Sequence, residues 1–184
     1  MADEIAREAV ESEQLKKAGI ASPTLRDGNL KLRPFRSGDA EAIAGLLAEP
    51  EVHRWWQDGH FDQQHGWVAT VAGKFAGWVQ YEEETYVWFP SVGFDLALTT
   101  ALHGHGYGRR VLRIVVEHFL ARGHHRFTID PNVNNLRAIR CYAAAGFKPV
   151  GVLRSYERNP DGGYNDGLLM DLIVLDSEWT SKPQ

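Results

Sequence analysis

Three glycines in five residues, Gly104, Gly106 and Gly108, punctuate the run His103-Gly104-His105-Gly106-Tyr107-Gly108-Arg109-Arg110. Such spacing removes Cβ atoms from a bend and bares backbone N–H groups. At the positive end of a helix dipole, those donors make an anion site sized for phosphate. The flanking residues supply the elements this requires. Val92-Gly93-Phe94-Asp95-Leu96-Ala97-Leu98 alternates as a strand does, and Val111, Leu112, Ile114, Val115, Val116, Phe119 and Leu120 recur at helical spacing. The expected ligand is a nucleotide-like cofactor carrying phosphate.

Around this junction the chain reads as β-α-α-β-β-β-α-β-α-β-β, a mixed sheet with helices on its faces. Residues 1–20 could form a helix that Ser22-Pro23 breaks. Asn29 to Arg36 reads as a first strand, and Ser37-Gly38-Asp39 caps a helix through Ala48. Glu51 to Trp56 is expected as a short helix ending in Asp58-Gly59. Trp67–Val71 and Phe75–Tyr81 form a hairpin through Ala72-Gly73-Lys74. Glu82-Glu83-Glu84 is expected beyond its end, before a strand at 86–98. A helix over about 107–122 stops at Arg122-Gly123. Arg126–Asp130 is a short strand closed by Pro131. Asn134-Asn135 opens a helix ending at Gly146, and strands at about 147–157 and 164–175 turn at Asn159–Gly163. The expected units are a tail (1–25), one domain (26–178) and a C-terminal tail (179–184).

Composition narrows the partners. A formal charge of −4 without a basic block outside the glycine loop argues against nucleic acid, and suits a cationic small substrate. No apolar run approaches a membrane span, and the first residues are acidic where a signal peptide is positive. The single cysteine, Cys141, excludes an internal disulfide framework and suits a reducing cytoplasm. His103, His105, His124 and His125 lack the spacing of metal ligands, so no metal is expected. Sheet edges permit a monomer or a homodimer.

A strand, glycine loop, helix and strand followed by Asp130 also looks like a dinucleotide fingerprint. Against it, Thr99 to His103 separate strand from glycines, where a dinucleotide loop turns at once, and no second such unit exists. No Gly-Lys-Ser/Thr closes a Walker loop. The downstream pattern decides: Asn135-x-x-Ala138-x-x-x-Tyr142-x-x-x-Gly146-Phe147 follows the glycine loop by about 30 residues. Together the two motifs resemble the GNAT superfamily of acetyl-CoA-dependent N-acetyltransferases over about residues 29–175. The family's Arg/Gln-x-x-Gly-x-Gly/Ala falls on His103, Gly106 and Gly108, with His103 departing from the usual Arg or Gln.

The resemblance implies an α/β (α+β) fold: a mixed, mostly antiparallel sheet with helices on both faces and a splayed strand pair that binds CoA. It implies that His103, Gly104, His105, Gly106, Tyr107, Gly108 and Arg109 hold the pyrophosphate. Main-chain groups of Leu96, Ala97 and Leu98 would take the pantetheine arm and face the acetyl oxygen. Asn135 would touch pantetheine, and Tyr142 would be the general acid for the departing thiolate. On spacing alone a core tyrosine is the favoured reading of Tyr142, and the motif reverses it. Cys141 points about 100° away from it around the helix and reads as a small buried residue.

Gly93–Leu98, the Asp130–Tyr142 run and Val52-His53-Arg54-Trp55-Trp56 resemble the aminoglycoside 6′-N-acetyltransferase branch. In that branch the acid matching Asp95 is a candidate base, and the one matching Asp130 binds the aminoglycoside. Carboxylates within apolar strands cost desolvation unless a cation meets them. Trp55 and Trp56 could wall a sugar, although helix packing accounts for them too. Glu83, with Glu82, Glu84 and Asp166, could add negative field, a solvated charge run being the plainer reading. The stretch from Trp56 to Trp67 is short for that branch, which implies a more open acceptor site. A protein N-terminus or a small polyamine is the alternative acceptor, and a non-catalytic CoA-binding module is the alternative of another class.

Overall fold

The computed structural model describes residues 23–56, 61–159 and 161–175. The expected helix at 1–20, the Asp58-Gly59 stop and the C-terminal tail lie outside them. Among the described residues, strands β1 (Leu25–Asp27), β2 (Leu30–Arg33), β3 (Gly66–Val71), β4 (Lys74–Glu84), β5 (Ser91–Leu98), β6 (Arg126–Ile129), β7 (Lys148–Arg158) and β8 (Tyr164–Ile173) form one sheet. Their order is β1-β2-β3-β4-β5-β6-β8-β7. Every neighbouring pair is antiparallel except β5 and β6. The expected mixed, mostly antiparallel sheet is therefore present.

Helices α1 (Ala40–Leu47), α2 (Pro50–His53), α3 (Tyr107–Leu120) and α4 (Leu136–Ala144) complete the fold. They cover opposite faces because the strands alternate. Leu30, Leu32, Trp67, Val79, Val92 and Phe94 pack with the apolar stripe of α3 in the larger core. On the other face, Val68, Trp78 and Ala97 pack with Ile43, Leu46 and Leu47 of α1. Trp56 lies at the margin of that second cluster.

Several boundaries move. The N-terminal strand is a hairpin, β1–β2, turned at Gly28 with φ +56°. The last arginine of the glycine motif anchors it. Arg110 Nε donates to Asp27 Oδ2 at 2.8 Å, and Nη2 donates to the Asp27 carbonyl at 2.6 Å. Arg110 is thus a docking residue. Glu82, Glu83 and Glu84 lie within β4, paired to Gly93, Val92 and Ser91. The charged run is the last three residues of the strand itself, and the pleat sends Glu83 to the face opposite Glu82 and Glu84. The stretch from Tyr86 to Pro90 is a turn, closed by the Phe89 N–H on the Tyr86 carbonyl. The expected 51–56 helix is the single turn of α2, and Trp55 and Trp56 follow it.

Candidate active site

Parallel pairing joins β5 to β6 at only two positions, Val92–Phe127 and Gly93–Thr128. Beyond them the strands part, and a cleft of about 920 Å³ opens between their carboxyl ends. The main chain shows which groups face it. Thr99 donates to the Ala76 carbonyl on the β4 side, whereas the Leu98 carbonyl accepts from His103 Nε2 at 2.9 Å on the other. Because strand groups alternate, Leu96 and Leu98 turn their N–H and C=O toward the cleft. Ala97 lines the cleft but turns its own N–H and C=O toward β4, so its main chain is not open there as expected.

The glycine loop closes one end. Gly104 (φ +79°) and Gly106 (φ +78°) occupy the left-handed region, with open space where a Cβ would stand. Gly106 precedes the first turn of α3, and among the described residues no side chain caps that turn. Its N–H groups are therefore left for an external acceptor. Gly108 of that turn serves packing as well: a Cβ there would stand 2.7 Å from Cys141 Sγ on α4. Burial holds the His103 imidazole below its ordinary pKa, so it is a neutral donor to Leu98. Arg109 of α3 and Arg137 and Arg140 of α4 add positive charge to the lining. Arg137 also reaches Glu51 Oε2 at 3.2 Å.

Carboxylates line the cleft from the other elements: Glu82 on β4, Asp95 on β5, Asp130 after β6 and Glu157 on β7. Gln80 holds Asp95, its Nε2 donating to Oδ2 at 3.1 Å, while its Oε1 accepts from the Asp62 N–H at 2.9 Å. The Tyr156 hydroxyl donates to Asp130 Oδ2. Tyr142 lies on α4 with its ring in the core and 8% of its surface exposed. Burial pushes its hydroxyl pKa far up, and the nearby charges of Cys141, Asp95 and Asp130 push it further. Its phenol therefore keeps its proton throughout the neutral and mildly alkaline range. Burial likewise raises the Cys141 thiol, so it is no ready nucleophile.

The model of the acetyltransferase (GNAT) family matches residues 32–147. This chain belongs to the GNAT acetyltransferases. The aminoglycoside N(6′)-acetyltransferase type 1 of Klebsiella pneumoniae is 39% identical over 93 residues, 49% of this chain and 42% of that protein. The [ribosomal protein bS18]-alanine N-acetyltransferase of Haemophilus ducreyi is 27% identical over 81 residues, 44% of this chain and 56% of that protein. The chain thus spans about half the length of these curated relatives. In fold it matches the spermidine N-acetyltransferase from Vibrio cholerae, solved with CoA and spermine. The TM-score is 0.69 at 21% identity, covering 84% of this chain and 99% of that one.

GNAT enzymes use acetyl-CoA, and the residues here fit it. The uncapped α3 terminus and its cationic neighbours suit a pyrophosphate, and the open edge of β5 suits an amide-bearing arm. Tyr142, Asp95, Asp130, His103, Asn135, Trp55 and Trp56 all line the one cleft. Asn135 has a second task, since its Oδ1 caps α4 by accepting from the Ala138 N–H at 3.1 Å. Three expectations change. Glu83 faces away from the cleft: it accepts from Arg122 Nη2 at 2.9 Å and from His124 Nε2 at 2.7 Å, because it follows Glu82 on a pleated strand. The Tyr107 side chain turns to the β1–β2 hairpin, where its hydroxyl accepts from Asn29 Nδ2 at 3.2 Å. The His105 ring folds onto its own loop, its Nδ1 at 2.9 Å from the His103 carbonyl. The expectation passed over Tyr156, Gln80, Arg137 and Arg140.

Proposed function

We propose that this GNAT chain transfers the acetyl group of acetyl-CoA to a primary amine of a cationic small molecule, the 6′-amino group of an aminoglycoside being the leading candidate. The observation that carries this reading is the division of charge within one cleft. Guanidinium groups enter it from α3 and α4, one of them paired with Glu51 of α2, whereas Glu82, Asp95, Asp130 and Glu157 enter from the sheet side. A polyanionic donor and a polycationic acceptor each meet the opposite sign. The 39% identity to an aminoglycoside acetyltransferase over half the chain supports the same acceptor.

When bound, acetyl-CoA supplies the acyl group as an activated thioester. The N–H of Leu96 is the donor aimed at developing charge on the acetyl oxygen. Asp95, steadied by Gln80, takes the proton that an acceptor ammonium must lose, directly or through one water. Asp130 holds the acceptor by charge. Tyr142, kept protonated by burial, donates to the departing thiolate sulfur. The thioester C–S bond breaks as the N–C bond forms, and the nitrogen gives up two protons. The first goes to Asp95 and on to solvent. The second, lost once the N–C bond is made, restores to Tyr142 the proton it gives to sulfur, so that the products are amide and thiol.

A thiol-release assay across aminoglycosides, polyamines and peptides tests the acceptor. Turnover of kanamycin-type substrates supports the reading. Robust peptide turnover without kanamycin turnover refutes it.

A further inference from the structure

Strand β7 is bulged next to the cleft. Between the Leu153–Gly167 and Glu157–Asn165 pairs, four steps of β7 run against two of β8. The extra residues include Ser155 in the left-handed region, at φ +50°. That conformation disfavours a residue with a Cβ, and it is held by the Ser155 N–H donating to Asp166 Oδ1 at 2.8 Å. Its product is the placement of Tyr156. The ring lies against Gly167, where a Cβ would come within 2.8 Å of Tyr156 Cδ1.

The same stretch of β8 holds the other side of the contact. The Val133 N–H donates to the Asp166 carbonyl at 3.0 Å, and the Leu168 N–H donates to the Pro131 carbonyl at 2.8 Å. Asn132 bridges Gly167. Asp130 and Tyr156 are therefore docked on one short segment of β8 and meet through the phenol and Oδ2. Although its hydroxyl is engaged, Tyr156 stays 54% exposed, so its ring remains open to a ligand. Its surroundings are acidic. The hydrogen bond to Asp130 raises the phenol pKa, and the charges of Asp130, Asp95 and Glu82 add to the rise. The phenol is thus held as a donor among carboxylates.

We infer that Tyr156 is a positioning residue that fixes Asp130 and, with its open ring face, forms a clamp for a second ammonium group of the acceptor, separate from the amine that reacts. One Asp130 oxygen is taken by the phenol, which leaves Oδ1 for the cation. An ammonium there also meets the negative face of the ring. The selected acceptor carries at least two ammonium groups, and the inference rests on the cationic-acceptor reading above.

The test is calorimetric titration of the full-length, CoA-saturated protein with kanamycin and with spermidine, alongside benzylamine as a single-cation control. Tyr156→Phe keeps the ring and removes the donor. It is expected to weaken kanamycin and spermidine binding about 10-fold, as loss of a hydrogen bond to a charged group does. Benzylamine and CoA affinities should stay within about twofold by the same scale. Gly167→Ala, which pushes the ring aside, should reproduce the loss with Tyr156 intact. In an Asp130→Asn background, Tyr156→Phe should change nothing further. In steady state the loss should fall on acceptor KM, with kcat held. Equal loss for benzylamine, additive loss in the Asp130→Asn background, or no binding of either polycation by the unaltered protein would overturn the clamp. Kanamycin binding without acetylation overturns the aminoglycoside reading alone and leaves the clamp standing.

Discussion

In the proposed reading, the pyrophosphate end of the cleft is made largely of main chain, and the acceptor end is made of side chains. At the first, Gly104 and Gly106 and the uncapped start of α3 present N–H groups, and removing Cβ atoms is what exposes them. At the second, Gln80 holds Asp95 from the neighbouring strand, and Tyr156 of β7 holds Asp130 from across β8. A main-chain site suits a ligand that stays the same, because its donors survive most sequence changes nearby. A side-chain site can be retuned one residue at a time. The same strand, β5, serves both, with Leu96 and Leu98 opening their backbone to the donor while Asp95 offers its side chain to the acceptor.

Tyr142 sits where the two ends meet, and its removal gives the largest expected effect. Tyr142→Phe should lower kcat by about 10²-fold or more, the scale of a lost general acid, while acetyl-CoA affinity is retained. Collapse of acetyl-CoA binding instead would make Tyr142 part of the donor site. The pH dependence follows from the raised phenol pKa. A group raised this way is protonated, and so able to donate, below its shifted value. No alkaline limb of kcat belonging to Tyr142 should therefore appear up to about pH 10, its ordinary value. A limb below that pH which disappears in Tyr142→Phe would refute the assignment.

Next in size comes a separation of the two ends. Asp130→Asn should raise acceptor KM about 30-fold for a polycation, within the cost of removing one partner of a charged contact, and leave acetyl-CoA KM alone. Gly106→Val should do the reverse. Its φ of +78° costs a β-branched residue about 1–2 kcal/mol, so acetyl-CoA KM should rise about 10-fold with acceptor KM unchanged. Steady-state kinetics with each substrate varied in turn measures both. If either variant moves both KM values together, the two ends are not independent.

The same contrast explains what could be read from the chain. Main-chain sites depend on glycine, on helix starts and on alternation, all local and visible: Gly104, Gly106, Gly108, Asn135 and the Leu96–Leu98 strand stand out in the sequence. Asp95 and Asp130 were also legible, as carboxylates in apolar strands. The hairpin at Ala72-Gly73 forms as its composition demands, with φ of 49° and 81°. What stayed hidden was set by pairing between distant strands. Nothing local announces that β7 bulges after Leu153, so Tyr156 reads as one more residue of an exposed strand. Arg110 belongs to a loop motif but is claimed by Asp27, which is 83 positions away. The three glutamates read as lying beyond the strand, and form its last three residues, because charge alone does not report where pairing stops.

Those glutamates supply the finest comparison, since Glu82 and Glu83 are neighbours that the pleat turns to opposite faces. Glu83 is a structural acid, its side chain 13% exposed against His124 at 8%. Glu83→Gln should leave both KM values unchanged and destabilise the fold by about 1–3 kcal/mol, the range for losing charged hydrogen bonds, read by chemical denaturation. Glu82 lines the cleft with solvent around it and contributes only a screened field. Glu82→Gln should leave stability unchanged and raise acceptor KM about twofold at low ionic strength, within the range of exposed charge pairs. That difference should vanish at about 1 M salt, where the screening length falls to about 3 Å. If Glu83→Gln moved acceptor KM instead, the register of β4 against β5 would be wrong by one residue. A slip of that size would exchange the faces of Gln80 and Tyr81 as well, and with them the support under Asp95.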